Sequence, residues 1–319
     1  MSETRKKVVG EENVLIRAGQ CSVSFLTEFG AKIASIQVHG KELMQAPIAP
    51  IAPRTRTLAF DKADASGWDE CLPSVAACAV DTAAGPVQIP DHGDLWRVPW
   101  KPLSVAANSV TLRGECFSVP LALERAATLT EEAKGWKLSL DYKVTNTGAH
   151  PCPWSWCAHP LFASEAGDRI VLPGSIRQLR VEGSGGGRLG KAGDHVNWPL
   201  AQQANAKTAD LSVGQPPESG FGDKLFAGPL SASENWCALE RPKAGIRIRV
   251  SFHPAVTPYL GLWICYGGWP DGPGPKENCV AMEPATAPTD SLAHTGPWSR
   301  VLAPGASYSW PMTLEFEPV

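Results

Sequence analysis

No part of this sequence repeats Ala, Leu, Glu and Lys at helical spacing for long, and backbone breakers are spread throughout, with 30 Gly and 29 Pro among 319 residues. Helical bundles and coiled coils are therefore excluded, and many short strands joined by turns are expected. Charge is also sparse: Lys, Arg, Asp and Glu make up 19 % of the chain, and the net charge is −3. Nucleic acid is excluded as a partner, because phosphate contacts need clustered Lys and Arg. The densest basic pairs, Arg54-Thr55-Arg56 and Arg247-Ile248-Arg249, alternate as the solvent side of a strand does. Long apolar runs are missing too. The start, Met1-Ser2-Glu3-Thr4-Arg5-Lys6-Lys7, is polar and leads into no such run, so neither a signal peptide nor a membrane span is read and a cytoplasmic location is expected.

Several chemistries lack their signatures. The nine cysteines are odd in number and form no paired CxxC zinc site, so they read as reduced, mostly buried thiols. No two histidines have the spacing of a metal-binding helix, so no catalytic metal is expected. A Gly-x-Ser-x-Gly nucleophile in strand-to-helix context is also missing. The glycines of Gly183-Ser184-Gly185-Gly186-Gly187 follow no strand signal and precede no helix start, so no cofactor phosphate is expected there. The surrounding stretch, residues 173–217, reads as a long loop or lid.

What is present is an apolar fraction of 43 %, enough for a substantial core. At this length a single domain over residues 1–319 is the expectation. Strand-like segments run over 13–17, 21–26, 31–38, 109–113, 121–129, 136–146, 246–252, 259–266 and 307–316. Trp136 to Val144 gives the clearest alternation of apolar and polar residues. The fold class is mainly β and antiparallel.

Three separated segments carry residues suited to proton transfer. Glu283 lies before Pro284 and after the apolar run Cys279-Val280-Ala281-Met282, which places a partly buried carboxylate near a strand end, with its pKa raised toward that of a useful base. Alone, it reads equally well as a strand-end glutamate paired with an arginine. His92 stands in Pro90-Asp91-His92-Gly93 with Trp96 and Trp100 close behind, and His159 stands in Ala158-His159-Pro160 among Trp154, Trp156 and Phe162. A single histidine of this kind is more often structural. The repeated pattern, His then Gly or Pro with aromatic residues nearby, favours a polar ligand with an apolar face, such as a sugar ring.

Trp68-Asp69-Glu70 offers two adjacent carboxylates, of which only one can easily enter a pocket, because neighbouring strand residues face opposite ways. Asp223 and Lys224 are under the same restriction. Trp263 is a further candidate ring for the ligand.

At these residues the sequence resembles the aldose 1-epimerase, or galactose mutarotase-like, family. The segments that carry the resemblance follow in order: Glu28-Phe29-Gly30-Ala31-Lys32, Gly67 to Pro73, His92-Gly93, Ala158 to Phe162, Glu283-Pro284 and Leu302-Ala303-Pro304-Gly305. The resemblance implies a large antiparallel β-supersandwich with few short helices and a cofactor-free interconversion of α and β anomers. It implies Glu283 as the base at the anomeric hydroxyl, His159 as the acid at the ring oxygen and His92 as the second histidine. A family aspartate that binds sugar hydroxyls corresponds to Asp223, or Lys224 takes over that pocket position; Trp68, Asp69, Glu70, Trp96 and Trp263 stand as further sugar-binding candidates on their own residue types. The chain departs from the family where an early sugar-binding Arg belongs, since residues 61–70 contain none. A Lys224 facing the ligand would favour an acidic sugar over a neutral one. Two other functions fit the same residues: a carbohydrate-binding protein without turnover, and a glycoside hydrolase using Glu283 and Asp69 as facing carboxylates.

Overall fold

The computed structural model describes residues 13–83 and 85–319. Two large antiparallel sheets dominate the fold, and every ladder between their strands is antiparallel. The path of the eleven-stranded sheet runs through Asn13–Ala18, Cys21–Leu26, Lys32–Val38, Trp68–Cys71, Cys157–Ala163, Asn278–Ala285, Tyr259–Tyr266, Phe221–Ala227, Gln178–Ser184 and His195–Asn197. Lys41–Glu42 is its eleventh strand, paired to the third. The eight-stranded sheet is ordered Arg169–Val171, Trp236–Arg241, Ile246–Phe252, Ser307–Pro318, Gly135–Asn146, Leu121–Glu132, Ser109–Glu115 and Lys101–Val105. Three two-stranded ribbons complete the β structure. The described helical segments are three-residue 3₁₀ turns, and none is long and apolar enough to cross a membrane.

Side-chain alternation explains the layering. Along Gly135–Asn146, Trp136, Leu138, Leu140, Tyr142 and Val144 are buried, and the residues between them are less so. The large sheet differs, because its central strands are buried on both sides. Cys157–Ala163 and Asn278–Ala285 show almost no exposed position. One face of these strands joins the main core through Trp68, Ala158, Leu262, Val280 and Met282. The opposite face carries two smaller apolar clusters, one containing Cys71, Cys157, Phe226 and Tyr259 and the other Leu161, Cys265, Cys279 and Ala281.

Two expectations are corrected. Residues 173–217 are not one loop: they contain Gln178–Ser184, His195–Asn197, Leu200–Gln202 and Thr208–Asp210, and the glycine run ends a strand and enters a 3₁₀ turn at Gly185–Gly187. Buried Leu179 and Val181 alternate with Arg and Glu, which is a strand signal hidden by its polar half. Arg54 does not face solvent on a strand, since its side chain is 2 % exposed and paired with Asp64. Arg247 and Arg249 do alternate with buried residues along their strand. All nine cysteines are free thiols, and seven are buried.

Candidate active site

Register in the large sheet determines which side chains meet. Asp69 lies directly opposite His159 on the neighbouring strand. On the other side, Cys157 pairs with Ala285 and Leu161 with Ala281, so His159 and Glu283 fall opposite one another midway between these pairs. Paired residues share a face, so three adjacent strands carry Asp69, His159 and Glu283 in one row. The next strand contributes Gly261, opposite Glu283. Its missing side chain matters, because a Cβ there would lie 3.0 Å from Glu283 Oε2 and 3.2 Å from the Phe226 ring. Across this gap, Lys224 from the following strand reaches over to hydrogen-bond Glu283 Oε2.

Glu283 is fully buried. Besides Lys224, its Oε2 accepts the Cys157 thiol at 3.5 Å. Its Oε1 is buried without a hydrogen-bond partner among the described residues and lies 3.9 Å from His159 Nε2. Burial raises the carboxyl above its ordinary range, and the Lys224 ammonium limits that rise. Lys224 also lies 3.4 Å from Asp290. Burial alone would lower the lysine, but Asp290 and Glu283 overcome that effect and hold it above its usual range as a fixed cation. Burial leads the causes that push His159 well below the ordinary histidine range, joined by His92, Lys224 and Lys32. At neutral pH it is a neutral imidazole.

His92 arrives on a loop whose backbone is left-handed at two successive residues, His92 (φ 57°) and Gly93 (φ 68°). Bonds from His92 N to Val75 O (2.5 Å) and from Asp94 N to Leu72 O (2.8 Å) fix this turn. A non-glycine residue in this region is strained, and strain of this kind concentrates at functional sites. Asp91 Oδ2 lies 2.8 Å from His92 Nδ1. The His92 ring stacks on Phe60 at 3.6 Å and meets His159 edge-on at 5.1 Å. Phe60 also meets the edge of His159.

These groups line a cleft of about 380 Å³, bordered also by Trp263, Trp269, Glu277 and Asp290. The Trp263 ring lies against Gly222, where a Cβ would approach to within 2.7 Å, and its indole donates to Glu277 Oε2 at 2.6 Å. Burial raises Glu277 to about 7, against the hydrogen bonds from Trp263 and Cys279.

The sequence-predicted residues divide clearly. His92, His159, Lys224 and Trp263 line the cleft, with Glu283 and Asp69 in the row of side chains at its base. Asp69 accepts from Lys32 Nζ at 2.6 Å, and its Oδ1 is buried without a partner among the described residues. Glu70 faces the other way: it is fully buried and accepts from Arg125 (2.8 Å), Tyr142 (2.9 Å) and Trp156 (2.9 Å). It cannot bind a ligand from the cleft. Trp68 shares that face and belongs to the core. Asp223 also points away, to Ser184 (2.5 Å) and Arg188. Trp96 is buried behind Phe60, ring edge to face at 5.2 Å, and so supports the wall without forming its surface.

Sequence reasoning missed Phe60, Lys32, Trp269, Glu277 and Asp290. Only Glu277 and Asp290, as carboxylates flanking the Glu283 segment, offered any signal. Neither nearby arginine supplies the early sugar-binding arginine implied by the resemblance. Arg97 is turned onto the carbonyls of Leu58, Asp91 and Gly93, and Arg54 is committed to Asp64.

The fold is a galactose mutarotase-like β-supersandwich. The chain shares it over its whole length with the Slr1438 protein from Synechocystis sp. PCC 6803, at TM-score 0.72, 16 % identity and full coverage of both chains. A galactose mutarotase-like protein from Lactobacillus casei ATCC 334 aligns at TM-score 0.65 and 17 % identity, covering 96 % of this chain and 100 % of the other. The GalM/aldose epimerase homologue from C. elegans aligns at TM-score 0.61 and 15 % identity over 97 % and 100 % of the two chains. No protein-family model and no curated protein matches the sequence. What these structures share with this chain is the fold.

Proposed function

We propose that the protein is an aldose 1-epimerase-like isomerase, interconverting the α and β anomers of a free sugar by acid–base ring opening and closure. The observation that carries this reading is Glu283 Oε1, a buried carboxylate oxygen without a hydrogen-bond partner among the described residues, 3.9 Å from His159 Nε2 beside a cleft that also holds His92. An unpartnered buried oxygen is costly unless a ligand hydroxyl supplies its hydrogen. Glu283 removes the anomeric hydroxyl proton while the bond from the anomeric carbon to the ring oxygen breaks, and His159 gives a proton to that oxygen. The product is the open-chain aldehyde. Rotation beside its carbonyl exposes the other face, and closure with the proton roles reversed gives the other anomer. The step starts from the form in which His159 has taken up a proton from solvent; an imidazole held below its ordinary range is then a strong donor, and it regains the proton when the ring closes. His92, anchored by Asp91 through Nδ1, assists by holding a hydroxyl or the ring oxygen.

The ligand is an uncharged sugar. Lys224 reaches the cleft, which by itself favours an acidic ligand, but its charge is already met by Glu283 and Asp290. Asp61, Asp91 and Glu277 further bias the lining against anions. The hydrolase reading is not supported, because the His159 imidazole lies between Asp69 and Glu283 in the row and the two carboxylates do not face each other across a cleft.

The test is two-dimensional exchange NMR of anomers over a panel of neutral aldoses, uronic acids and sugar phosphates. Faster exchange with one or more neutral aldoses is expected. Binding without acceleration would transfer the protein to the non-catalytic carbohydrate-binding class.

A further inference from the structure

Beneath the cleft, the strand face is polar at both ends and apolar between them, and Trp263 and Trp269 cover the apolar part. Alternate residues of the Asn278–Ala285 strand share a face, which places Ala281 and Cys279 after Glu283 in the same row. Glu277 stands immediately before the strand starts and lines the cleft. Between the two carboxylates, Ala281, Cys279, Leu161 and Cys265 form one apolar cluster on which Trp263 and Trp269 pack. That order suits a pyranose ring, which is apolar across its C–H face and polar at its edges.

Glu277 is 1 % exposed. Its Oε2 is occupied by the Trp263 indole N–H and the Cys279 thiol, whereas Oε1 makes no hydrogen bond among the described residues. The Trp263 bond fixes the carboxyl while Trp263 itself is pinned flat against Gly222. Such a rigid buried group with a free oxygen is built to select a ligand hydroxyl.

We infer that Glu277 is a specificity-determining residue of this cleft, binding a sugar hydroxyl at the edge of the ring remote from the anomeric carbon, while Trp263, seated on the apolar strip, carries the ring. The inference rests on the anomer-exchange reading for the orientation of the sugar, with its anomeric carbon at Glu283. The free Glu277 oxygen can accept from a hydroxyl when ionised and can also donate to one when protonated, and its position near neutrality makes both forms available.

The test compares wild type with Glu277→Ala and Glu277→Gln. The probes are D-glucose, D-galactose and D-xylose, together with the 4-deoxy and 6-deoxy forms of the hexoses. Binding is measured by ligand-observed NMR and turnover by anomer exchange. For Glu277→Ala, a loss of affinity of about 10- to 100-fold is expected for sugars carrying the recognised hydroxyl, as for a lost charge-assisted hydrogen bond. The corresponding deoxy sugar should change less than about twofold. Glu277→Gln keeps an acceptor for Trp263, so it should fold as wild type and lose less. Equal losses across the panel, or none, overturn the inference, as does a wild type that binds no sugar of the panel. Selective loss of binding in a protein without turnover would sustain Glu277's role while refuting the enzymatic reading.

Discussion

Replacing Lys224 by Met keeps most of the side chain and removes the ammonium that bridges Glu283 and Asp290. At 3.4 Å the attraction to Asp290 is about 5 kcal/mol at an effective dielectric of about 20, before the desolvation of both groups is subtracted. The bond to Glu283 adds a second attraction, and both are lost together. Two buried carboxylates then face each other without a cation, and breaking a buried pair in this way costs about 3 to 5 kcal/mol. The protein can relieve part of that cost by protonating Glu283 or Asp290, which moves the loss from stability into the pH profile. The acid limb of kcat/KM should therefore rise by at least about one pH unit, with the rate lost on the acid side and recovered at higher pH. Urea denaturation and anomer exchange between pH 5 and 9 measure the two effects. Adding Asp290→Asn to Lys224→Met should restore part of the stability, because one unpaired charge is gone. A Lys224→Met protein with wild-type stability and an unmoved pH profile would refute the argument that the lysine keeps the base ionised.

Glu283→Gln should slow anomer exchange by about 10²- to 10⁴-fold while sugar binding changes little, measured by exchange and ligand-observed NMR; unchanged turnover would remove Glu283 as the base. Glu70→Ala strands Arg125 in the core and should cost about 3 to 5 kcal/mol in urea denaturation, and a loss below about 1 kcal/mol would contradict the buried network. Gly93→Ala places a Cβ against the Leu72 carbonyl in a left-handed turn, so both stability and exchange rate should drop, whereas a neutral outcome would show that the His92 loop is not fixed there. Burial alone would raise Asp64, but Lys32 and Arg54 lower it to about 2. Its contribution, about 2 to 3 kcal/mol, is complete above about pH 4 and disappears as pH falls through 2. The stability gap between wild type and Asp64→Asn should close over that window, and a gap independent of pH would disprove the assignment.

Strand limits were readable to within a few residues: Cys21–Leu26 and Ile246–Phe252, which alternate, and Tyr259–Tyr266, a continuous apolar and aromatic run, have the expected limits. The convergence of Glu283, His159 and His92 was also legible, because each stands beside a residue that constrains the backbone. Which of Asp69 and Glu70 enters the cleft was not. Trp68 and Cys71 flank them on opposite faces, both faces are buried, and no polar side exists to mark the parity. Asp223 and Lys224 raised the same difficulty. Phe60 and Lys32 stayed hidden because their roles come from packing across distant strands. Phe60 sits in a three-residue turn with no motif, and Lys32 lies on a strand whose neighbours suggest only a core.

The row of Asp69, His159 and Glu283 has an evolutionary consequence. Its members are placed by ladder pairing, so a single inserted or deleted residue within Cys157–Ala163 would rotate the imidazole into the hydrophobic interior and turn Ala158 or Pro160 outward in its place. Changes of loop length between these strands leave the row intact, but the lengths of the three central strands cannot change independently of one another.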